Sequence, residues 1–172
     1  MSLRPMRCYH HIKKKPYTRI SRRRPRKGYV KGVPSSAIHH FNTGNVKAEF
    51  PLTYGLKTSV AAQMRSNSLE AARTIATKFL NTELGDMNFH LKILVFPHHV
   101  LRENSMATGA GADRFSEGMR HSFGRPIGTA ARLEAGQMVM MASAMNGKDK
   151  ILKIALEKAA KKLPAACRVV KL

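Results

Sequence analysis

The sequence predicts an α+β protein, a two-layer sandwich of one sheet and two main helices, preceded by an extended basic N-terminal arm. Three observations predict it. Apolar residues alternate with period two over several short runs, and they recur at helical spacing over two longer ones. The first 48 residues, by contrast, hold 13 of the 31 Lys and Arg, no acid, and little hydrophobic periodicity of either kind. A chain of 172 residues suits one domain, which at this size buries about two-thirds of its unfolded surface without disulfide or metal support. The expected division is an arm over residues 1–45 and a single folded domain over 46–172.

The arm carries Lys13-Lys14-Lys15 and Arg22-Arg23-Arg24, parted by Pro16, Tyr17 and Arg19 and followed by Arg26, Lys27, Tyr29 and Lys31. Such a segment cannot bury enough apolar surface to offset its ordering entropy alone. Its guanidinium groups can fork onto phosphates, and Tyr9, Tyr17 and Tyr29 can stack on unpaired bases.

From Val46 the pattern Val46, Ala48, Phe50, Leu52 alternates with Lys47 and Glu49, the period of a half-buried strand, until Pro51 weakens it. Asn67, three residues before Glu70, reads as a capping-box start to a helix with the stripe Leu69, Ala72, Ala76, Phe79 and Leu80, closed by Gly85. Phe89, Leu91, Ile93 and Val95 then share one strand face, with Leu94 and Phe96 on the other, which predicts a central strand ended by Pro97. Further on, Ile127–Glu134 and Gln137–Met145 read as two strands joined at Ala135-Gly136 in a hairpin, the second apolar on both faces. A helix over Asp149–Leu163 follows, with Leu152, Ala155, Leu156, Ala159 and Leu163 on one face and Pro164 as its stop. Cys167–Leu172 is expected to return as a last strand.

Residues 97–124 show no clear strand period and contain Gly109, Gly111, Gly118 and Gly124. Loops above about 12 to 15 residues are usually functional or disordered. This one is formally neutral, with Arg102, Arg114 and Arg120 against Glu103, Asp113 and Glu117, so composition alone does not make it a phosphate clamp. Gly109-Ala110-Gly111 also lacks the spacing of a nucleotide-cradling P-loop.

The formal charge of +21 and pI near 10.8 point to a polyanionic partner. An anionic membrane is the weaker choice, since no apolar run reaches membrane-spanning length. Cys8 and Cys167 form no CxxC pair, which suits a reducing, cytoplasmic compartment and excludes zinc-finger spacing. The enzyme alternative, an RNA-processing activity, would use the pairs His10-His11, His39-His40 and His98-His99 with Asp113 or Glu117. Adjacent histidines point in different directions and do not by themselves chelate. A sequence-specific DNA reader would present its charge on a compact helix, whereas here it lies on an irregular arm. No cofactor, metal or small-molecule substrate is expected, and the chain reads as a non-enzyme.

Several short matches and one long one carry a family resemblance. The short ones are Arg4-Pro5 with Arg7-Cys8-Tyr9, Lys15-Pro16-Tyr17, Gly32-Val33-Pro34 and Glu70-Ala71-Ala72-Arg73. More specific is the stretch from Phe96-Pro97 through Gly111-Ala112-Asp113-Arg114, Gly118-Met119-Arg120, Phe123-Gly124-Arg125-Pro126 and Gly128 to Ala131-Arg132. With these the chain resembles the large-subunit ribosomal proteins called L-sixteen in bacteria and L-ten-e in archaea and eukaryotes. The tract from Gly109 to Gly118 differs from the shorter Lys/Gly-rich loop of the bacterial branch and points to the archaeal one. The resemblance implies an α/β-hammerhead-type sandwich with a mixed or antiparallel sheet, embedded in 23S-type ribosomal RNA near the 5S RNA and beside neighbouring ribosomal proteins. It also implies a long loop directed toward tRNA and the peptidyl-transferase centre. On this reading Arg4, Arg7, Tyr9, Lys13, Lys14, Lys15, Tyr17, Arg19, Arg22, Arg23, Arg24, Arg26, Lys27, Tyr29, Lys31, Arg125 and Arg132 meet ribosomal RNA. Arg102, Met106, Arg114, Met119 and Arg120 are the residues expected near tRNA.

Overall fold

The computed structural model describes residues 4–12, 17–18, 30–104, 107, 109–114 and 123–172. In chain order the regular elements are β1 (Asn42–Gly44), β2 (Leu52–Thr58), β3 (Ala62–Arg65), α1 (Ser66–Leu84), β4 (Phe89–Ile93), β5 (His99–Glu103), β6 (Arg125–Leu133), β7 (Met138–Ala144), α2 (Asp149–Ala160) and β8 (Cys167–Lys171). Short 3-10 turns lie at Met6–Cys8 and Ala112–Arg114. The strands form two sheets, one of five in the order β1-β4-β7-β2-β8 and one of three in the order β3-β6-β5. Every pairing within them is antiparallel.

The register explains where the core sits. Phe89, Leu91 and Ile93 lie opposite Ala144, Ala142 and Met140, which in turn lie opposite Leu52, Tyr54 and Leu56. Because side chains alternate along a strand, these rows share one face, and all but the half-buried Tyr54 are buried. Leu69, Ala72, Ala76 and Leu80 of α1 and Leu152, Ala155, Leu156 and Ala159 of α2 cover that face in one continuous core. Each fully buried Leu, Ile or Phe contributes about 1.5 to 3 kcal/mol. The start of α2 is tied to the sheet through Asp149, which accepts from the Tyr54 hydroxyl at 2.8 Å and pairs with Lys171 at 3.2 Å.

Several elements differ from expectation, each for a local reason. Residues 46–51 do not form a strand, because the Asn45 side chain accepts from the N–H groups of Lys47 and Ala48 and turns the chain. The strand starts at Leu52. No capping box forms at α1. Arg65 is still paired to Ala130 in the small sheet, the helix begins at Ser66, and Glu70 binds Arg73 instead of reaching back. The strand from Phe89 is interior but not central: β1 lies on one side of it, Leu94 and Phe96 beyond its end are exposed, and β7 takes the middle position.

Part of the expected loop is a strand, β5, hidden from period-two reading because Val100 and Leu101 are buried in succession beside a bulge at Leu101/Arg102. The expected hairpin around Ala135-Gly136 does not exist. β6 belongs to the three-stranded sheet and β7 to the five-stranded one, and the intervening turn is held by Thr58, which exchanges backbone hydrogen bonds with Gly136 and Gln137. α2 ends at Ala160, and a tighter turn carries Leu163 into the core. Finally, part of the segment before residue 46 belongs to the body, since β1 edges the main sheet, Ile38 is 2% exposed and Phe41 packs against the core.

Candidate nucleic-acid interface

Two anchoring clusters fix the described parts of the arm and the base of the long loop on the small sheet. In the first, Glu103 at the end of β5 forms an ion pair with Arg4 and accepts from the Tyr9 hydroxyl at 2.9 Å. The Arg4 hydrogen bond, followed by that of Tyr9, holds the Glu103 carboxyl below its ordinary range. Burial and the Glu103 acceptor push the Tyr9 phenol up to about 12, so it stays a donor. Arg65 donates to the Arg4 carbonyl at 2.9 Å and sits over the Tyr9 ring, while Gln63 donates from its backbone to His10 and from its side chain to Tyr9.

In the second cluster the Arg102 guanidinium caps two rings that meet edge-on, 4.5 Å from the centroid of Tyr17 and 4.0 Å from that of Phe123. It also donates to the Phe123 carbonyl at 3.1 Å. Tyr17 meets Phe123 edge-on, its carbonyl accepts from Val100, and its N–H donates to His99 Nδ1 at 2.8 Å. A histidine that accepts at Nδ1 must be neutral. Burial first, then Arg132 and Arg102, push the His99 pKa down to about 4 and keep it so. Beside this cluster Gly124 has φ +76°, and a Cβ there would stand 2.7 Å from the Glu103 backbone, so only glycine lets the two ends of the loop meet.

These contacts sort the residues expected to bind RNA. Arg4, Tyr9, Tyr17 and Arg102 all have partners within the chain. Arg7, Lys31, Arg114 and Arg125 are exposed, and Arg132 is half-buried with one guanidinium nitrogen lacking a partner. Lys13, Lys14, Lys15, Arg19, Arg22, Arg23, Arg24, Arg26, Lys27, Tyr29, Met106, Met119 and Arg120 lie outside the described residues. Sequence reading missed Glu103, Gln63, Arg65, His99 and Phe123 as organisers of the surface. The one available signal was Glu103, an acid beside Arg102 where the loop begins.

Among the described residues, Glu70, Glu103 and Asp149 form ion pairs with this chain's own cations, and the whole chain carries 31 Lys and Arg against 10 Asp and Glu. No three His, Cys, Asp or Glu among them come together as a metal site, and no helix among them is long and apolar enough to cross a membrane. This charge balance, on two helices and two antiparallel sheets, defines a basic α+β protein of the kind that meets a polyanion.

The ribosomal protein L16p/L10e family matches residues 12–170, and the chain belongs to that family, whose members are structural and not enzymatic. The large ribosomal subunit protein uL16 of Staphylothermus marinus is 47% identical over 170 residues, covering 99% of this chain and 94% of that protein. Those of Thermofilum pendens and Archaeoglobus fulgidus are 45% and 41% identical over 99% of this chain, covering 97% and 93% of their own lengths. These relatives place the chain in the archaeal branch.

Proposed function

We propose that the protein is a structural constituent of the large ribosomal subunit in the cytoplasm. It binds 23S-type ribosomal RNA near the 5S RNA, contacts neighbouring ribosomal proteins, and supports tRNA near the peptidyl-transferase centre through residues 104–124. The observation that carries this reading is the near-full-length identity with proteins of that subunit. The contacts of Arg102, Phe123 and Gly124 at the two ends of the loop support its assignment, because they fix where it leaves and rejoins the small sheet. The reading includes the hammerhead-type fold. Two helices over one face of an antiparallel five-stranded sheet, with a three-stranded sheet beside it, support that part. The arm runs from Lys13 to Lys31 supply phosphate contacts, and Arg7 and Arg125 extend them onto the body.

The test is to titrate large-subunit ribosomal RNA with the wild-type chain and with the Arg22→Ala, Arg23→Ala, Arg24→Ala triple variant across salt concentrations. Each phosphate that is no longer neutralised takes roughly 0.7 to 0.9 off the logarithmic salt slope. Weaker binding with a flatter slope is expected. Equal affinity and equal slope would refute the role given to the arm.

A further inference from the structure

The helices cover only one face of the five-stranded sheet, and the register assigns the residues of the other. Because side chains alternate along a strand, that second face carries Lys92 of β4, Met141 of β7, Gly55 of β2 and Val170 of β8 in one row across four strands. A row with Met138, Lys57 and Arg168 lies to one side of it, and a row with His90, Ser143 and Thr53 to the other. The Thr53 and Ser143 hydroxyls meet at 2.9 Å, as side chains on one face can.

An antiparallel sheet face left to water is normally polar, and this one is not. Val170 and Leu172 are 39% and 63% exposed, and Met138 and Met141 are half-buried. Gly55 makes this apolar floor continuous. A Cβ there would collide with the Met138 methyl carbon and touch Leu172 Cδ1, so the missing side chain is what lets Met138 lie across β2 toward Leu172. The charge on the face is of one sign. Lys57, Lys92 and Arg168 are exposed, none of them pairs with an acid among the described residues, and no position of the face is Asp or Glu. Neighbouring strands lie about 4.8 Å apart, so Lys92 and Arg168 are separated by about 14 Å across the strands, with the apolar floor between them.

An apolar floor between free cations specifies the occupant. A protein surface laid over the floor would bury those cations, which is strongly unfavourable unless each is paired. A base-paired RNA helix offers phosphates but shows riboses and phosphates, not base faces, to a flat surface. An unpaired strand offers both, phosphates for the cations and base faces for the adaptable methionine side chains. We infer that the helix-free face of the five-stranded sheet binds an unpaired segment of the ribosomal RNA, its backbone held by Lys92 on one side and by Lys57 and Arg168 on the other, its bases against Met138, Met141 and Val170. The inference rests on the proposed ribosomal-RNA binding and adds to it a surface made of residues from neither the basic arm nor the long loop.

The test titrates large-subunit ribosomal RNA across salt concentrations with three full-length chains. They are wild type, the Lys57→Gln, Lys92→Gln, Arg168→Gln variant, and a control of equal charge, Lys150→Gln, Lys153→Gln, Lys161→Gln, altered at exposed positions on and just after α2. Thermal melts of the free proteins report folding. Each phosphate of an unpaired strand that is no longer neutralised takes roughly 0.7 off the logarithmic salt slope, so a fall of about 2 is expected for the first variant and less than half of that for the control. A first variant with the slope of wild type, or equal falls for the two variants, overturns the inference. A second measurement does not depend on removing charge: a benzophenone side chain replaces the exposed Val170 in reconstituted large subunits, which are then irradiated. Capture of a nucleotide that is unpaired in the ribosomal RNA is expected. Capture of a base-paired nucleotide or of a neighbouring protein, or no capture, overturns the inference. A failure of the underlying reading is distinguishable, because wild type itself would then show no preference for large-subunit RNA over a control RNA of equal length.

Discussion

Replacing Arg102 should loosen the base of the long loop more than any other single change on that face. Its guanidinium is placed over Tyr17 at 4.5 Å and Phe123 at 4.0 Å and donates to the Phe123 carbonyl at 3.1 Å. Each cation–π contact at a partly exposed site contributes about 0.5 to 1 kcal/mol. A hydrogen bond from a charged donor adds about 1.5 kcal/mol at the low end of its range, appropriate to an exposed acceptor. Arg102→Ala should therefore cost about 2.5 to 3.5 kcal/mol if the contacts act independently. Arg102→Lys keeps the charge but loses the planar stack, and should recover less than half. Phe123 provides the internal control. It is 64% exposed, so Phe123→Leu sacrifices little burial, and its cost comes mainly from the ring above Arg102. Denaturant unfolding of wild type, both single variants and the double variant yields the coupling directly, expected at about 0.5 to 1 kcal/mol. A coupling near zero, or Arg102→Lys as stable as wild type, would show that the geometry does not hold the loop.

Three further outcomes are expected. His99 has a folded pKa of about 4 against an ordinary 6.5, so between these values the unfolded chain binds more protons and stability must fall as pH drops from 6.5 to 4. Because His99 is only half-buried, the loss is discounted to about 1 to 2 kcal/mol, and His99→Gln should flatten that limb of the stability–pH curve; an unchanged limb would refute the assignment. Removing residues 1–45 deletes β1 and the buried Ile38, whose loss alone costs about 2 to 5 kcal/mol. The chain from Val46 to Leu172 should melt well below one starting at Val30, and equal melting would show that β1 and Ile38 contribute nothing. Bridging Ser105 to Gly118 with a short glycine link should change stability little, since closure entropy varies by about 0.6 kcal/mol per doubling of loop length. Subunits reconstituted with that deletion should incorporate it equally yet be impaired in tRNA binding or peptidyl transfer; full activity at equal occupancy would count against the loop's proposed role.

Wherever a segment's burial follows from its own periodicity, the sequence alone was sufficient. Leu69, Ala72, Ala76 and Leu80 on α1, and Leu152, Ala155, Leu156 and Ala159 on α2, face the core as their spacing predicts, because a helix presents one stripe whatever it packs against. The polyanion partner was equally legible, since net charge is a property of composition, and the family resemblance lay in residue spacing. Which strand pairs with which was not legible. β6 and β7 are separated by a short turn yet enter different sheets, because Thr58, far away in sequence, holds the turn and because β7 needs neighbours on both edges. β5 escaped notice because a bulge breaks its alternation. The anchoring clusters lay beyond sequence reading for the same reason. Glu103 meets Arg4 and Tyr9, and Arg102 meets Tyr17 and Phe123, across separations that no local pattern encodes. The Tyr9 hydroxyl and the His99 ring need their partners only once folding has partly removed them from water, since burial is what makes a missing partner costly.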